Sequence, residues 1–309
     1  MAFRKALWVV RDKVTSARAI DALITDAATR GIFDLVVQVR GRGDAYYRSA
    51  LEPRAEALAD ELDPLDHLVR NGAVVGIRTH AWANVYFVWS HPDRLPPRDA
   101  THVVRAHPEW LLRPDGANTL DPAGGSDFEG IYTDPANAEA RAHTLAVFED
   151  IVRRYAVAGL HYDYVRYPQV TYATSADDHA FVTDLVREGA ARLRAARPGV
   201  VISAAVFPDP AVARERVLQR WPAWAEEGLV DLLCPMAYRR DSTLVARLLA
   251  GARGAAPKTE LWGGLMAYPD APALLGEQVR AARDVGCDGA ICFAYDGSRP
   301  DLLDAFAAA

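Results

Sequence analysis

Short apolar runs recur along this chain, separated by longer stretches whose apolar residues fall at helical spacing, the alternation expected of strand–helix units. The first run, ALWVV, is followed by SARAIDALITDAATRG, where Ser16 is placed to cap a helix and Gly31 to stop it. DLVVQV precedes a loop and a helix around DPLDHLVRNG, and AVVGIRTHAWANVY predicts a third strand with its loop. A polar stretch rich in Pro, Gly and His then runs from about Ser90 to Asp134. ANAEARAHTLAVFEDIVRRYA leads into the fourth strand, AGLHYDY; HAFVTDLVREGAARLRAA leads into the fifth, VVISAAVF. A Trp-rich helix around Arg216 to Glu227, the strand DLLCPMAY, the helix STLVARLLAGA, the strand ELWGGLMAY, the helix PALLGEQVRAARDVG and the strand GAICFAY complete the series.

Eight strands, each followed by a helical segment, over 309 residues predict a (β/α)8 barrel, which typically takes about 250 residues. The Ser90–Asp134 stretch is then a long loop insertion after strand 3. With no Ser/Gly-rich linker and no charge block, the expectation is a single domain over 1–309. A doubly wound open sheet is the rival, and it lacks support because no Gly-rich phosphate turn follows the first strand.

Composition narrows the classes. A net charge of −6 argues against nucleic acid as partner, whose binding leaves a basic stripe. Cys234, Cys287 and Cys292 lie in apolar runs without zinc-type spacing and read as buried free thiols. The basic start MAFRKALWVVRD has too short an apolar run for a signal peptide and reads as the first strand. No apolar stretch approaches the roughly 20 residues of a membrane span. No HxH or HExxH pattern points to a metal, no GxSxG to a serine hydrolase, and no cofactor is expected.

In a barrel, functional side chains gather at the C-terminal strand ends and on inward positions. Arg11 and Asp12 follow strand 1; Arg40, Arg42, Asp44, Tyr46 and Tyr47 follow strand 2. Strand 3 carries Arg78, His80, Trp82 and Asn84 on one face, and strand 4 carries His161 and Asp163, with Arg166 and Tyr167 beyond. The later strands end at Asp209, at Tyr238 and Asp241, at Tyr268 and Asp270, and at Tyr295 and Asp296. Asp44, Asp209, Asp241, Asp270 and Asp296 all stand where a turn or helix cap uses an aspartate. Arg40 and Arg78 are equally suited to holding carboxylates by ion pairs, and His80 to a satisfied core position. Asp163 differs, because it continues a strand instead of opening a turn.

The aromatic residues among these groups, Trp82, Tyr86, Trp89, Tyr162, Tyr164, Tyr167, Tyr238, Tyr268 and Tyr295, suit a sugar, which offers apolar faces for stacking and a rim of hydroxyls. The expected substrate-binding set is Arg40, His80, Trp82, Asn84, His161, Arg166, Tyr167, Tyr238, Asp241, Tyr268 and Tyr295.

At these residues the sequence resembles a known group. GLHYDYVRYP is similar to the DGxHxDYxRYP signature of the glycosyl-hydrolase-like 10 family, and VQVRGRGDAYYRSALEPRAE, DPLDHLV, THAWANVYFVWS, HPEWLLR, CPMAY and GAICFAYD resemble its other blocks in order. The resemblance implies a TIM barrel that cleaves peptidoglycan glycan strands lacking stem peptides, outside the cytoplasm, in the periplasm or secreted, of a bacterium. A more distant likeness to family 18 chitinases aligns Asp163 with the last aspartate of their DGxDxDWEYP strand and Met236-Ala237-Tyr238 with their Met-x-Tyr. The chitinase glutamate has no counterpart, since Tyr164, Val165 and Arg166 fill its space, and Ala158 replaces an acidic residue before Gly159.

Glycoside hydrolysis uses two carboxyl groups of divergent pKa. Asp163 is the first expected; Asp44, then Asp296, then Asp241 and Asp209 are the candidates for the second. Two other classes stay open: a catalytically silent glycan-binding barrel, kept alive by the missing glutamate, and a metal-dependent amide or ester hydrolase using His80, His161 and Asp163.

Overall fold

The computed structural model describes residues 2–58, 61–91, 93, 95–112, 129–169 and 178–309. Its strands in chain order are β1 (Arg4–Val9), β2 (Asp34–Arg40), β3 (Arg78–Asn84), β4 (Phe87–Trp89), β5 (Ile131–Tyr132), β6 (Gly159–Asp163), β7 (Val201–Val206), β8 (Leu232–Pro235), β9 (Glu260–Met266) and β10 (Gly289–Phe293). β1, β2, β3, β6, β7, β8, β9 and β10 pair in that order, all parallel, and β10 returns to β1 to close a barrel. The eight apolar runs of the sequence are these eight strands, so the protein is a (β/α)8 barrel. β4 and β5 form a separate antiparallel ribbon in the segment after β3, where a long insertion is expected from the sequence.

The helices are α1 (Ala17–Thr29), α2 (Pro64–Val74), α3 (Val103–Ala106), α4 (Ala138–Arg154), α5 (Asp178–Ala196), α6 (Pro210–Val217), α7 (Trp221–Glu226), α8 (Ser242–Ala255), α9 (Pro272–Asp284) and α10 (Pro300–Ala308). Ser16 caps α1 by accepting from Ala19 N, and Gly31 leaves the helix at φ +67°, a conformation that costs glycine nothing. Two segments differ from the sequence pattern. Ala73 and Val74, expected in strand 3, end α2, and Gly76 at φ +81° turns the chain before Arg78 opens β3. The Trp-rich helix is two helices, because Leu218 is left-handed at φ 57° and Pro222 lies at the start of α7, where a proline suits a new helix and not a continuing one. Among the described residues no helix is long and apolar enough to cross a membrane.

The barrel interior is layered. At the N-terminal end Asp34 accepts from Arg4, Arg78 and His80. Above it Trp8 and Trp262 pack with Ala6, Val36, Ala205, Leu232, Cys234 and Ile291. The indoles fit because small residues face them: a Cβ on Gly264 would stand 3.0 Å from Trp8 Cη2 and 2.8 Å from Pro235 O, and large beside small is how such interiors fill. Cys234, Cys287 and Cys292 are buried and unpaired. The insertion carries its own small core of Val88, Trp89, Val103, Val104, Trp110, Leu111, Ile131 and Ala140.

Gly159, which opens β6, is fixed by sterics. A Cβ there would lie 2.5 Å from Val201 O and 2.6 Å from His80 Nδ1, both rigid neighbours. Gly159→Ala is therefore expected to destabilise the fold by about 2 kcal/mol, the scale of overpacking a closed core, read as a lowered urea midpoint at unchanged m value.

Candidate active site

The C-terminal ends of β1, β2, β3, β6, β7, β8 and β10 surround a cavity of about 600 Å³. Its walls carry Trp8, Trp82, Phe207, Met236, Tyr238 and Phe293 from the barrel and Phe87, Ser90 and Glu129 from the segment after β3. Its polar groups are Arg11, Gln38, Asn84, Asp163, Arg166, Gln169 and Arg239.

Asp163 ends β6 beside Asn84 of β3. Its Oδ1 accepts from the backbone N–H of Tyr164 at 2.7 Å. That bond exists because Tyr164 takes the left-handed region at φ 49°, an uncommon conformation for a tyrosine that turns the chain at the strand end. The Tyr164 ring then lies 4.7 Å from Phe87, with the Arg166 guanidinium 4.7 Å above it. Burial raises the Asp163 pKa to about 6 against the hydrogen bond from Tyr164, the charge of Arg166 and the Trp82 indole, while the charge of Glu129 adds to the rise. At neutral pH Asp163 thus sits close to its own titration, as a proton-transferring group must. The Tyr238 phenol is held well above its ordinary pKa, by burial and then by the negative charge of Asp163, so it stays a neutral donor.

Glu129 is the second carboxylate of the cavity, and sequence reasoning missed it. It precedes Gly130, whose φ of +141° and contacts with Phe87 and Trp89 O leave no room for a side chain. Among the described residues it accepts five hydrogen bonds: two from Arg166, two from Gln169 and one from Tyr132. Burial opposes its ionisation, but Arg166 and Gln169 outweigh burial and lower its pKa. Asp163 and Glu129 are therefore pushed in opposite directions, the pattern that separates an acid from a base. The only sequence signal was an acidic residue just before a glycine and an apolar pair, EGIY.

Of the substrate-binding expectations, the structure brings Trp82, Asn84, Arg166 and Tyr238 to the cavity wall with Asp163. Trp82 Nε1 donates to Asn84 Oδ1 at 3.0 Å, and Asn84 Nδ2 to Gly41 O at 2.7 Å. His80 and His161 share strand faces with this group but lie deeper. His80 reaches Asp34 at the barrel floor. His161 is fully buried, its Nε2 accepting from Trp8 Nε1 at 3.1 Å and its Nδ1 facing Ser203 Oγ at 2.8 Å. Since Nε2 must be the acceptor, Nδ1 carries the proton, and His161 is a neutral prop under Trp8. Arg40 is buried against Glu52 behind the wall. Tyr167 packs with the helices, its phenol near Asp178. Tyr268 lies under Arg240, and Tyr295 donates to Asp26 at 2.8 Å.

The other carboxylates expected from the sequence stand away from the cavity wall. Asp44 accepts from Arg42 N, Asp296 from Ser298, and Asp209 and Asp241 cap α6 and α8. These are the turn and cap uses that aspartate serves at strand ends. Among the described residues no group of three or more His, Cys, Asp or Glu side chains converges as a metal site would require.

Burial, then the charge of His80, lowers the His161 pKa to about 3. The unfolded chain protonates first, near pH 6.5, so the stability this neutral histidine contributes is complete above that pH and is lost as pH falls. By linkage, wild type should lose about 2 kcal/mol more than His161→Asn between pH 7 and pH 5. Urea titrations at the two pH values check this; equal losses would refute the neutral assignment.

The Glycosyl hydrolase-like 10 pattern matches residues 4–181. "Glycosyl hydrolase YngK" of Bacillus subtilis (strain 168) is 24% identical over 257 residues, covering 70% of this chain and 48% of that protein. The chain thus spans about half the length of this curated relative. Among solved structures, an alpha-L-fucosidase isoenzyme 2 from Paenibacillus thiaminolyticus superposes with a TM-score of 0.69 at 15% identity, over 100% of this chain and 49% of that one. An endo-1,4-beta-mannanase from Rhizomucor miehei gives 0.68 at 9% identity, over 99% and 94%. Both likenesses speak for the barrel fold alone. With the family pattern covering more than half of the chain, and Asp163 and Arg166 inside the matched residues, this protein belongs to the glycosyl hydrolase-like 10 family.

Proposed function

We propose that this barrel hydrolyses glycosidic bonds in an N-acetylated cell-wall glycan, namely peptidoglycan strands lacking stem peptides, with Asp163 as the proton-transferring carboxyl group. The observation that carries the reading is the Asp163 carboxyl, held at a pKa of about 6 in a cavity walled by aromatic faces. Family membership and the resemblance of GLHYDYVRYP support the substrate class. In this mechanism a sugar ring lies against Trp8, Trp82 and Tyr238. Asp163 protonates the leaving oxygen as the bond breaks, the ionised Glu129 steadies the positive charge that develops on the ring, and water then adds to the charged ring carbon and returns a proton to Asp163. Arg166 keeps Glu129 ionised, and Tyr238 donates to a substrate oxygen.

One observation favours a second reading, a silent glycan-binding barrel. The oxygens of Glu129 are already engaged by Arg166, Gln169 and Tyr132, which makes it a poor nucleophile or base until that network opens. Incubating the protein with stem-peptide-free strands and with N-acetylglucosamine oligomers separates the two. New reducing ends support the hydrolase; tight binding without them supports the silent barrel.

A further inference from the structure

Arg11, which follows β1, lines the cavity, and among the described residues it has no carboxylate in ion-pair contact, whereas Arg166 is matched by Glu129. Its position is nevertheless built. Arg11 Nη1 donates to Gln38 Oε1 at 2.8 Å, and the Tyr46 phenol lies beside the guanidinium. Gly41 leaves space for it, since a Cβ there would stand 2.8 Å from both Arg11 Cδ and Nη1. Neutral partners thus fix one edge of the guanidinium, and a guanidinium has five N–H donors in a planar fork. Arg239 lines the same cavity, and among the described residues its guanidinium also meets no carboxylate, Nη1 donating to Tyr238 O. Among the described residues the cavity carries Arg11, Arg166 and Arg239 against Asp163 and Glu129, a positive surplus in a chain of net charge −6, and such a surplus attracts anions.

We propose that Arg11, steadied by Gln38 and given room by Gly41, binds a carboxylate carried by the glycan, with Arg239 adding attraction at the rim. The inference rests on reading the cavity as a glycan site but not on catalysis within it. The planar fork selects a planar anion and engages it with two parallel hydrogen bonds. A neutral N-acetylated oligomer would leave those donors unfilled. The carboxylate is either ether-linked to a sugar, as on strands stripped of their peptides, or part of the ring, as in a uronate.

The test is binding, read by calorimetry on full-length Asp163→Asn protein so that no ligand is consumed. The probes are stem-peptide-free strands, the same strands with carboxylates converted to neutral methylamides, and oligogalacturonate. A charged polymer should bind at least about tenfold tighter than the amidated strands, the scale of one charge-assisted contact. Which charged polymer is preferred tells whether the carboxylate is ether-linked or on the ring, and either preference supports the subsite. Arg11→Gln should bring the charged-to-neutral ratio close to one, and Arg11→Lys should keep only part of it, having charge without the fork. Gly41→Ala should lower the ratio as well, because it displaces the guanidinium while keeping the charge.

Equal binding of charged and neutral strands, or a ratio that Arg11→Gln leaves intact, overturns the proposal. Failure of the hydrolase reading looks different. It shows as no new reducing ends from any glycan with wild type, alongside a ratio that still depends on Arg11.

Discussion

Asp163→Asn should abolish glycan cleavage and at the same time stabilise the protein at neutral pH. On the proposed role, the loss of rate follows from removing the carboxyl group that would transfer the proton, a contribution of about a hundred- to ten-thousandfold. Asparagine keeps the acceptor for Tyr164 N, so geometry is preserved while chemistry is lost. The gain in stability follows from the raised pKa. A carboxyl held at about 6 instead of 3.8 resists ionisation in the folded chain, so the penalty is absent below about pH 4, grows as pH rises, and is complete above about pH 6. A rise of that size, at a cavity partly open to solvent, corresponds to about 2 kcal/mol. The variant should therefore exceed wild type by about that amount at pH 7 and match it at pH 3.5, checked by urea unfolding at both. Retained cleavage would remove Asp163 from the chemistry. A gain equal at both pH values would show that burial does not hold its proton. For wild type, a fall in rate on the alkaline side of about pH 6 would mark Asp163 as the acid; a fall on the acidic side would mark it as the base.

Such an exchange of stability for chemistry is what active sites make, and it bears on how far the proposed site can be read in sequence. The barrel was legible because buried parallel strands are continuous apolar runs and the helices between them carry caps such as Ser16 and Asp63. Asp163 was legible because a carboxylate inside such a run has no turn to serve. Depth along a strand was not. His80, Trp82 and Asn84 alternate onto one face, but each residue advances about 3.3 Å, so His80 falls at the floor while Trp82 and Asn84 reach the mouth. The same advance puts His161 beneath the site that Asp163 faces. Trp8 and Phe293 lie in apolar runs and pack in the barrel interior on one side, yet they wall the cavity on the other. Glu129 was invisible because its partner Arg166 lies 37 residues away along the chain. Local pattern carries no signal for that distance.

Glu52→Gln is expected to be the most destabilising single change near the site, although neither residue of the pair lines the cavity. Arg40 is 1% exposed and Glu52 7%. Glu52 Oε1 accepts from Arg40 Nε at 2.8 Å and lies 2.6 Å from Nη2, while Arg40 Nη1 donates to the carbonyls of Asn84 and Val85. The pair therefore ties the end of β2 and the loop beyond it to the end of β3, where Asn84 stands beside Asp163. Glutamine keeps the shape but leaves a buried guanidinium without its counterion, which costs about 3 to 5 kcal/mol. That should lower Tm by on the order of 10 °C at this chain length. The pH dependence identifies the cause. Burial opposes the charge on Glu52, yet Arg40 and His143 prevail and hold its pKa at about 2, below its usual 4.5. Its stabilisation is thus complete above about pH 4.5 and is lost as pH falls through about 2, so the gap between wild type and variant should narrow by more than half from pH 7 to pH 3. A gap that stays constant would mean that the lost contact is steric. Because Arg40 also positions the Asn84 backbone, the variant should lose activity at temperatures where it remains folded. Arg40→Met with Glu52→Met should restore stability further than activity, since apolar packing replaces the ion pair but leaves the Asn84 and Val85 carbonyls without their donor.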